Sequence, residues 1–213
     1  MRAKSDVLLE HYGVDYEEFQ SYEYHVKWFN ERMKDRPIDP PLEHWVKMKF
    51  PYEAPEHPPL PSMEEISHGM VHSSIAQNVG LHPVCRLGDC VVKQGREGDI
   101  FQEAENLLYL QEHSQVRTPK LYAAFLHHLP DDPVPIYYII TEYLEGATLT
   151  HKLYSSLGDE EQEALCARIS EQFMLLRSVP SEGYYGRVYY QGVDPMTSIF
   201  RLAGKGMNGP YNT

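Results

Sequence analysis

Lys93 closes the short β-branched run Val91-Val92-Lys93, and two acids, Glu103 and Glu105, follow in the next periodic segment. An ammonium at a strand end, held by a carboxylate from the following helix, is an arrangement that orients phosphate oxygens. Helical geometry separates the two acids. With Ile100 set at zero and about 100° per residue, Ala104 and Leu108 fall at about 40° and 80°, and Leu107 and Leu110 at about 340° and 280°. Glu103, at about 300°, lies between those leucines, whereas Glu105, at about 140°, lies outside the apolar arc. An acid inside an apolar stripe is unfavourable unless it meets a cation, so Glu103 is the expected partner of Lys93.

The elements that must position this pair are readable around it. Val84-Cys85-Arg86-Leu87 and Cys90-Val91-Val92-Lys93 are apolar runs joined by Gly88-Asp89, a hairpin signal because glycine accepts the positive φ of a primed turn. A helix is expected next, with Asp99 as N-cap and Gln102 three residues on. Strands are expected over Lys120 to Leu126 and, after the turn Asp131-Asp132-Pro133, over Ile136 to Glu142. Beyond Gly146 the pattern turns helical, with Thr148 capping a short helix and Asp159 a longer one that runs to about Ser178. In the longer helix Leu165, Ile169, Phe173 and Leu176 step by three and four and form one apolar stripe. Strands and helices are segregated, which is the α+β pattern.

Proline divides the chain. Eight of the 16 prolines lie between Pro37 and Pro61. Their fixed φ and missing donors predict extended linker rather than core over 37–62. Residues 1–36 read as a helical accessory arm, in which Phe19, Tyr22, Val26, Phe29 and Met33 recur at three- and four-residue steps. Residues 63–146 read as one lobe and 147–213 as the beginning of a second.

Composition narrows the classes. A net charge of −12, from 19 Lys+Arg and 31 Asp+Glu, argues against a surface that grips nucleic acid. No run approaches the roughly 18 apolar residues of a membrane-spanning helix, and Val7-Leu8-Leu9 is too short for the core of a secretory signal. Cys85, Cys90 and Cys166 are odd in number and unpaired in spacing, which fits a reducing compartment, and a cytoplasmic protein is expected. Cys90 and Cys166 read as small core residues. His68 and His72, four apart, read as a surface pair, and His82 with the two nearby cysteines lacks the paired geometry of a zinc site. The run Tyr184-Tyr185 with Tyr189-Tyr190 reads as packing rather than a base-stacking platform.

The order of elements has a chemical counterpart: lysine at a strand end, glutamate in the next helix, then a strand leading into a hinge is the nucleotide-binding half of a kinase. Residues 84–213 resemble the amino-terminal part of the aminoglycoside phosphotransferase-like family, in its fungal branch, related to choline kinases and protein kinases. The resemblance rests on Arg86 to Lys93, Glu103 to Leu107, Thr118-Pro119-Lys120-Leu121-Tyr122, Tyr138 to Leu149, Leu176 to Pro180 and Gly209-Pro210-Tyr211-Asn212-Thr213. It implies a kinase-like small lobe, an antiparallel sheet plus one helix, followed by the first helices of an incomplete helical large lobe. It also implies ATP with magnesium as cofactor, with Val91, Lys93 and Glu103 among the binding residues. Thr141 would stand at the gatekeeper position, and adenine would meet the Glu142 carbonyl and the Leu144 N–H.

Two departures bear on activity. No G-x-G-x-x-G loop precedes Lys93, and neither H-G-D-x-x-x-x-N nor a later magnesium-holding aspartate is present. His127-His128-Leu129-Pro130-Asp131 falls between two strands of the small lobe and is no substitute. Phosphoryl transfer relies on metal and a positioned aspartate, so no catalytic residue is assigned and efficient transfer by this chain alone is not expected. One reading is the ATP-binding part of a small-molecule phosphotransferase whose catalytic loop and acceptor site belong to further sequence. The other is a kinase-like pseudoenzyme serving as a binding or scaffold module. On the first reading, the stripe of Leu165, Ile169, Phe173 and Leu176 is short of partners and is expected to be exposed and prone to self-association; on the second, the N-terminal arm and proline-rich segment would be the interaction surface.

Overall fold

The computed structural model describes residues 46–72, 82–95, 100–130, 132, 134–180, 182–192 and 211–212, with 3, 5–6, 9–10, 13, 15–24 and 26–27 of the amino-terminal arm. The chain divides into two compact units, 41–182 and 1–40 with 183–213.

The first unit is built on a five-stranded antiparallel sheet in the order β1-β4-β5-β3-β2. The strands are β1 (Tyr52–Glu53), β2 (Val84–Leu87), β3 (Cys90–Gly95), β4 (Leu121–His127) and β5 (Ile136–Glu142). As expected, β2 and β3 form a hairpin about Gly88, whose φ of 59° lies in the left-handed region that glycine tolerates. One helix lies on each face. Ile66 of α2 (Met63–His72) packs with Cys85, Cys90, Val92, Tyr138 and Ile140. On the other face, Ile100, Phe101 and Ala104 of α3 (Ile100–His113) pack with Leu121, Ala124, Tyr137 and Ile139. Successive strand residues alternate between these cores. A bulge between Leu121 and Ala123 turns Tyr122 and Ala123 to the α2 side together.

A reciprocal cap starts α2: the Ser62 N–H donates to Glu65 Oε2 (2.8 Å), and Ser62 Oγ accepts from the Glu65 N–H (3.3 Å). Mid-helix Gly69 has a packing reason, since a Cβ there would stand 2.9 Å from Leu87 Cδ2 and 3.2 Å from Cys85 Sγ.

The proline-rich segment departs from expectation. Its residues 46–62 are part of the sheet assembly: Val46 is buried in the α3-side core, Met48, Phe50 and Tyr52 pack against it, and β1 pairs with β4. The extended backbone that proline favours is also the conformation of an edge strand, so the signal for a linker here served a strand. Residues 37–45 lie outside the described residues, as do Asp99, Asp131 and Pro133.

After β5, α4 (His151–Ser156) is capped by Thr150, not Thr148, with Oγ1 accepting from the Leu153 N–H at 3.1 Å. The 19-residue α5 (Asp159–Arg177) begins one residue after its cap, Gly158, whose N–H donates to Glu161 Oε2; Asp159 is its first helical residue. These helices fall in the same unit as the sheet, so the expected lobe boundary at 146/147 does not divide the described unit.

In the second unit, α1 (Tyr16–Gln20) is capped by Asp15 and stops at extended Ser21, whose Oγ accepts from Tyr24 N–H and opens a new turn. The expected aromatic face is therefore broken: Tyr22 and Val26 are exposed, and Phe29 and Met33 lie outside the described residues. β6 (Tyr184–Tyr185) pairs with β7 (Tyr211–Asn212). Tyr184 Oη accepts from the Tyr190 N–H and donates to the Arg187 carbonyl, and the Tyr184 and Tyr190 rings meet edge to face, so these tyrosines pack locally.

Candidate functional site

Strand register assembles the site. On the α3 side of the sheet, Arg86, Val91 and Thr141 form one row across β2, β3 and β5, because Arg86 faces Val91 and Val91 faces Thr141. Val84, Lys93 and Ile139 form the next row. α3 packs on β4 and β5. Over β3 and β2 the same face is less covered among the described residues: Val84, Val91 and Lys93 are half-buried, and Arg86 is exposed. Cross-strand partners share a face, so the floor of this opening is Val91 with Lys93 at its inner margin.

Lys93 Nζ donates to Glu103 Oε2 across the step from β3 to α3. The Lys93 side chain retains 25% of its exposure and that of Glu103 47%. The pairing expected from sequence is present, but its stated reason is overturned. Glu103 stands at the solvent edge of α3, and Glu105 is the buried acid, 1% exposed. Its Oε1 accepts from the backbone N–H groups of Lys47 (2.6 Å) and Met48 (2.9 Å), fastening the incoming chain to α3. The wheel omitted two aromatics that set the buried arc. Phe101 packs against Phe50 and edge-on against Tyr137, and Tyr109 is also buried. At about 100° and 180° they rotate the apolar face away from Glu103 and over Glu105.

Beyond β5 the chain is pinned on both sides. The Glu142 N–H donates to the Lys120 carbonyl (2.8 Å) and the Tyr143 N–H to the Asp89 carbonyl (2.9 Å). Glu142 Oε2 accepts from the Lys120 N–H at 3.2 Å. Thr141 is nearly buried, and the exposed Leu144 makes no hydrogen bond through its N–H among the described residues. Sequence reasoning missed Arg86, whose guanidinium carbon lies 3.5 Å from the centroid of the Tyr143 ring and whose Nε donates to the Gly88 carbonyl (3.0 Å). A two-residue hairpin fixes register, so Arg86 was assignable to the Val91 face from spacing alone.

The remaining candidates fall elsewhere. Cys85 and Cys90 are buried on the α2 side, where burial raises both thiol pKa values, with Asp89 adding to the rise at Cys90. Both are held as neutral thiols, poor as nucleophiles or metal ligands. Cys166, expected in the core, is exposed, 3.7 Å from Tyr154 Oη. The His68 and His72 rings meet at a tilt on the exposed side of α2, with centroids 4.4 Å apart. His127, expected in the connection after the strand, is instead the last residue of β4, paired with Ile136. Among the described residues no group of three or more His, Cys, Asp or Glu is placed to hold a metal ion, and no helix is long and apolar enough to cross a membrane.

The arrangement offers an ammonium fixed by one carboxylate, with further N–H donors available to anionic oxygens, beside a half-buried apolar floor and a short hinge. Such a set can hold a phosphate chain at Lys93 and a flat apolar group over Val91. No family model, curated protein or solved structure matches the chain.

Proposed function

We propose that this chain is the ATP-binding portion of a small-molecule phosphotransferase of the kinase-like kind, with a small lobe built on the five-stranded sheet and the first helices of a large lobe in α4 and α5. The Lys93–Glu103 ion pair on the open face of β3 carries this reading. Lys93 orients the phosphates, Glu103 orients Lys93, Val91 and Thr141 form the floor, and Glu142 and Leu144 meet the adenine edge. The sequence carries no H-G-D-x-x-x-x-N, and the described residues supply no carboxylate set for magnesium, so the metal would arrive on the nucleotide and no transfer step is assigned. Three free thiols and a nucleotide ligand both suit the cytoplasm.

Thermal unfolding with and without Mg-ATP tests it. At 100 times its dissociation constant a ligand stabilises by about 2.7 kcal/mol. Wild-type protein should show that gain and Lys93→Ala should lose most of it; equal gains would remove Lys93 from the site.

A pseudoenzyme scaffold is the second reading, favoured by one observation. α5 buries none of its residues, and Ile169, Phe173 and Leu176 line an open groove of about 310 Å³ with Val116, Arg168 and Gln172. Phe173 is 58% exposed. Under this reading the molecule associates through α5, and sedimentation should show mass rising with concentration in wild type and not in Phe173→Asp. A wild type that remains monomeric at its solubility limit ends it.

A further inference from the structure

Arg86 and Tyr143 stand on opposite sides of β3: one belongs to β2, and the other follows β5. Their contact therefore joins the two sides at the hairpin-turn end of β3, and the β3 residue paired with Arg86, next to that end, is Val91. The guanidinium is fixed at both ends of this span, through Nε on the Gly88 carbonyl and by its plane on the Tyr143 ring. The Tyr143 backbone is in turn tied to the same hairpin turn through Asp89. Lys93 lies one row further in, paired with Glu103.

We propose that the Arg86–Tyr143 stack is a latch that closes the base end of the nucleotide site, so that a purine settles on Val91 only when the guanidinium leaves the Tyr143 ring. This rests on the nucleotide reading of Lys93 and Glu103. The latch acts on the base and leaves the phosphates alone. Its release therefore tightens ATP and does not tighten inorganic tripolyphosphate, which reaches Lys93 without crossing Val91. An exposed cation–π contact is worth about two- to five-fold in a binding constant.

Calorimetric titration of Mg-ATP and Mg-tripolyphosphate into wild type, Arg86→Ala and Tyr143→Leu decides the matter. Tyr143→Leu keeps the positive charge and the backbone bond to Asp89, so agreement between the variants separates the stack from a charge effect. The expected result is ATP bound about two- to five-fold more tightly by both variants, with tripolyphosphate no tighter in either. Unchanged ATP affinity overturns the latch and leaves the nucleotide site standing. Weaker ATP binding also overturns it, making Arg86 a plate on which the base stacks. Absence of ATP binding in all three proteins overturns the nucleotide reading, and the latch with it.

Discussion

One face of the sheet is divided between two conditions. Over β4 and β5 it is sealed: α3 lies on it, Phe101 fills the space between Phe50 and Tyr137, and residues 46–50 close the margin. Over β3 and β2 it is less covered, with Val91 and Lys93 half-buried and α3 reaching Lys93 through Glu103 at its edge. α3 is the border, and its two glutamates mark the two sides. Glu105 faces the sealed half and is satisfied by main-chain donors, whereas Glu103 faces the open half and is satisfied by a cation. A carboxylate can be buried when backbone N–H groups replace its water, and it needs no such help at the surface. The same residue type two positions apart is therefore a backbone anchor in one case and the partner of a surface cation in the other.

The contrast is broken most directly through stability. Phe101→Ala removes a fully buried ring from the sealed half and should lower unfolding free energy by about 3–5 kcal/mol in urea denaturation. Lys93→Ala, in the open half, removes a partly exposed ion pair and should change it by at most about 1 kcal/mol. Comparable losses from the two substitutions would mean that the open half is also structural core.

The next comparison is between the two acids. Glu105→Ala strands the Lys47 and Met48 N–H groups beneath α3, and an unsatisfied buried donor costs about 1–3 kcal/mol. Glu103→Ala should be nearly neutral in stability, at about 0–1 kcal/mol, and should weaken Mg-ATP binding alongside Lys93→Ala. If Glu103→Ala destabilises more than Glu105→Ala, the assignment of anchor and orienting group is reversed.

The two halves also differ in how far the sequence revealed them. The open half was legible because its signals are local: Gly88 sets the hairpin, alternation puts Val91 and Lys93 on one face, and a helix follows at the right distance. The sealed half depends on contacts distant in sequence. Lys47 and Met48 meet Glu105 from 58 and 57 residues away, and nothing near Pro51 or Pro55 announces that the segment joins a sheet. A wheel drawn from aliphatic residues alone could not include Phe101 or Tyr109, so Glu103 was selected by an arc that does not exist. Glu103 meets Lys93 because the two lie on the same margin.

The smallest expected effect lies at the outer rim of the sealed half. His57 follows β1, with Nδ1 2.7 Å from the Pro58 carbonyl oxygen and Nε2 3.1 Å from Glu53 Oε1. Both partners are acceptors, so the ring satisfies both only as the imidazolium. The Pro58 carbonyl, and secondarily Glu53, hold its pKa above the ordinary 6.5. Because the folded value exceeds the unfolded one, this contribution to stability is fully present below pH 6.5 and is lost as pH rises through the folded value. In an NMR titration the His57 midpoint should lie above 6.5 and fall towards it in Glu53→Gln, with the partly exposed ring keeping the change modest. A midpoint at or below 6.5 in wild type would show that β1 is held at this rim without the ion pair. The anchoring of residues 46–53 would then rest on Glu105, the β4 ladder and the packing of Val46, Met48, Phe50 and Tyr52.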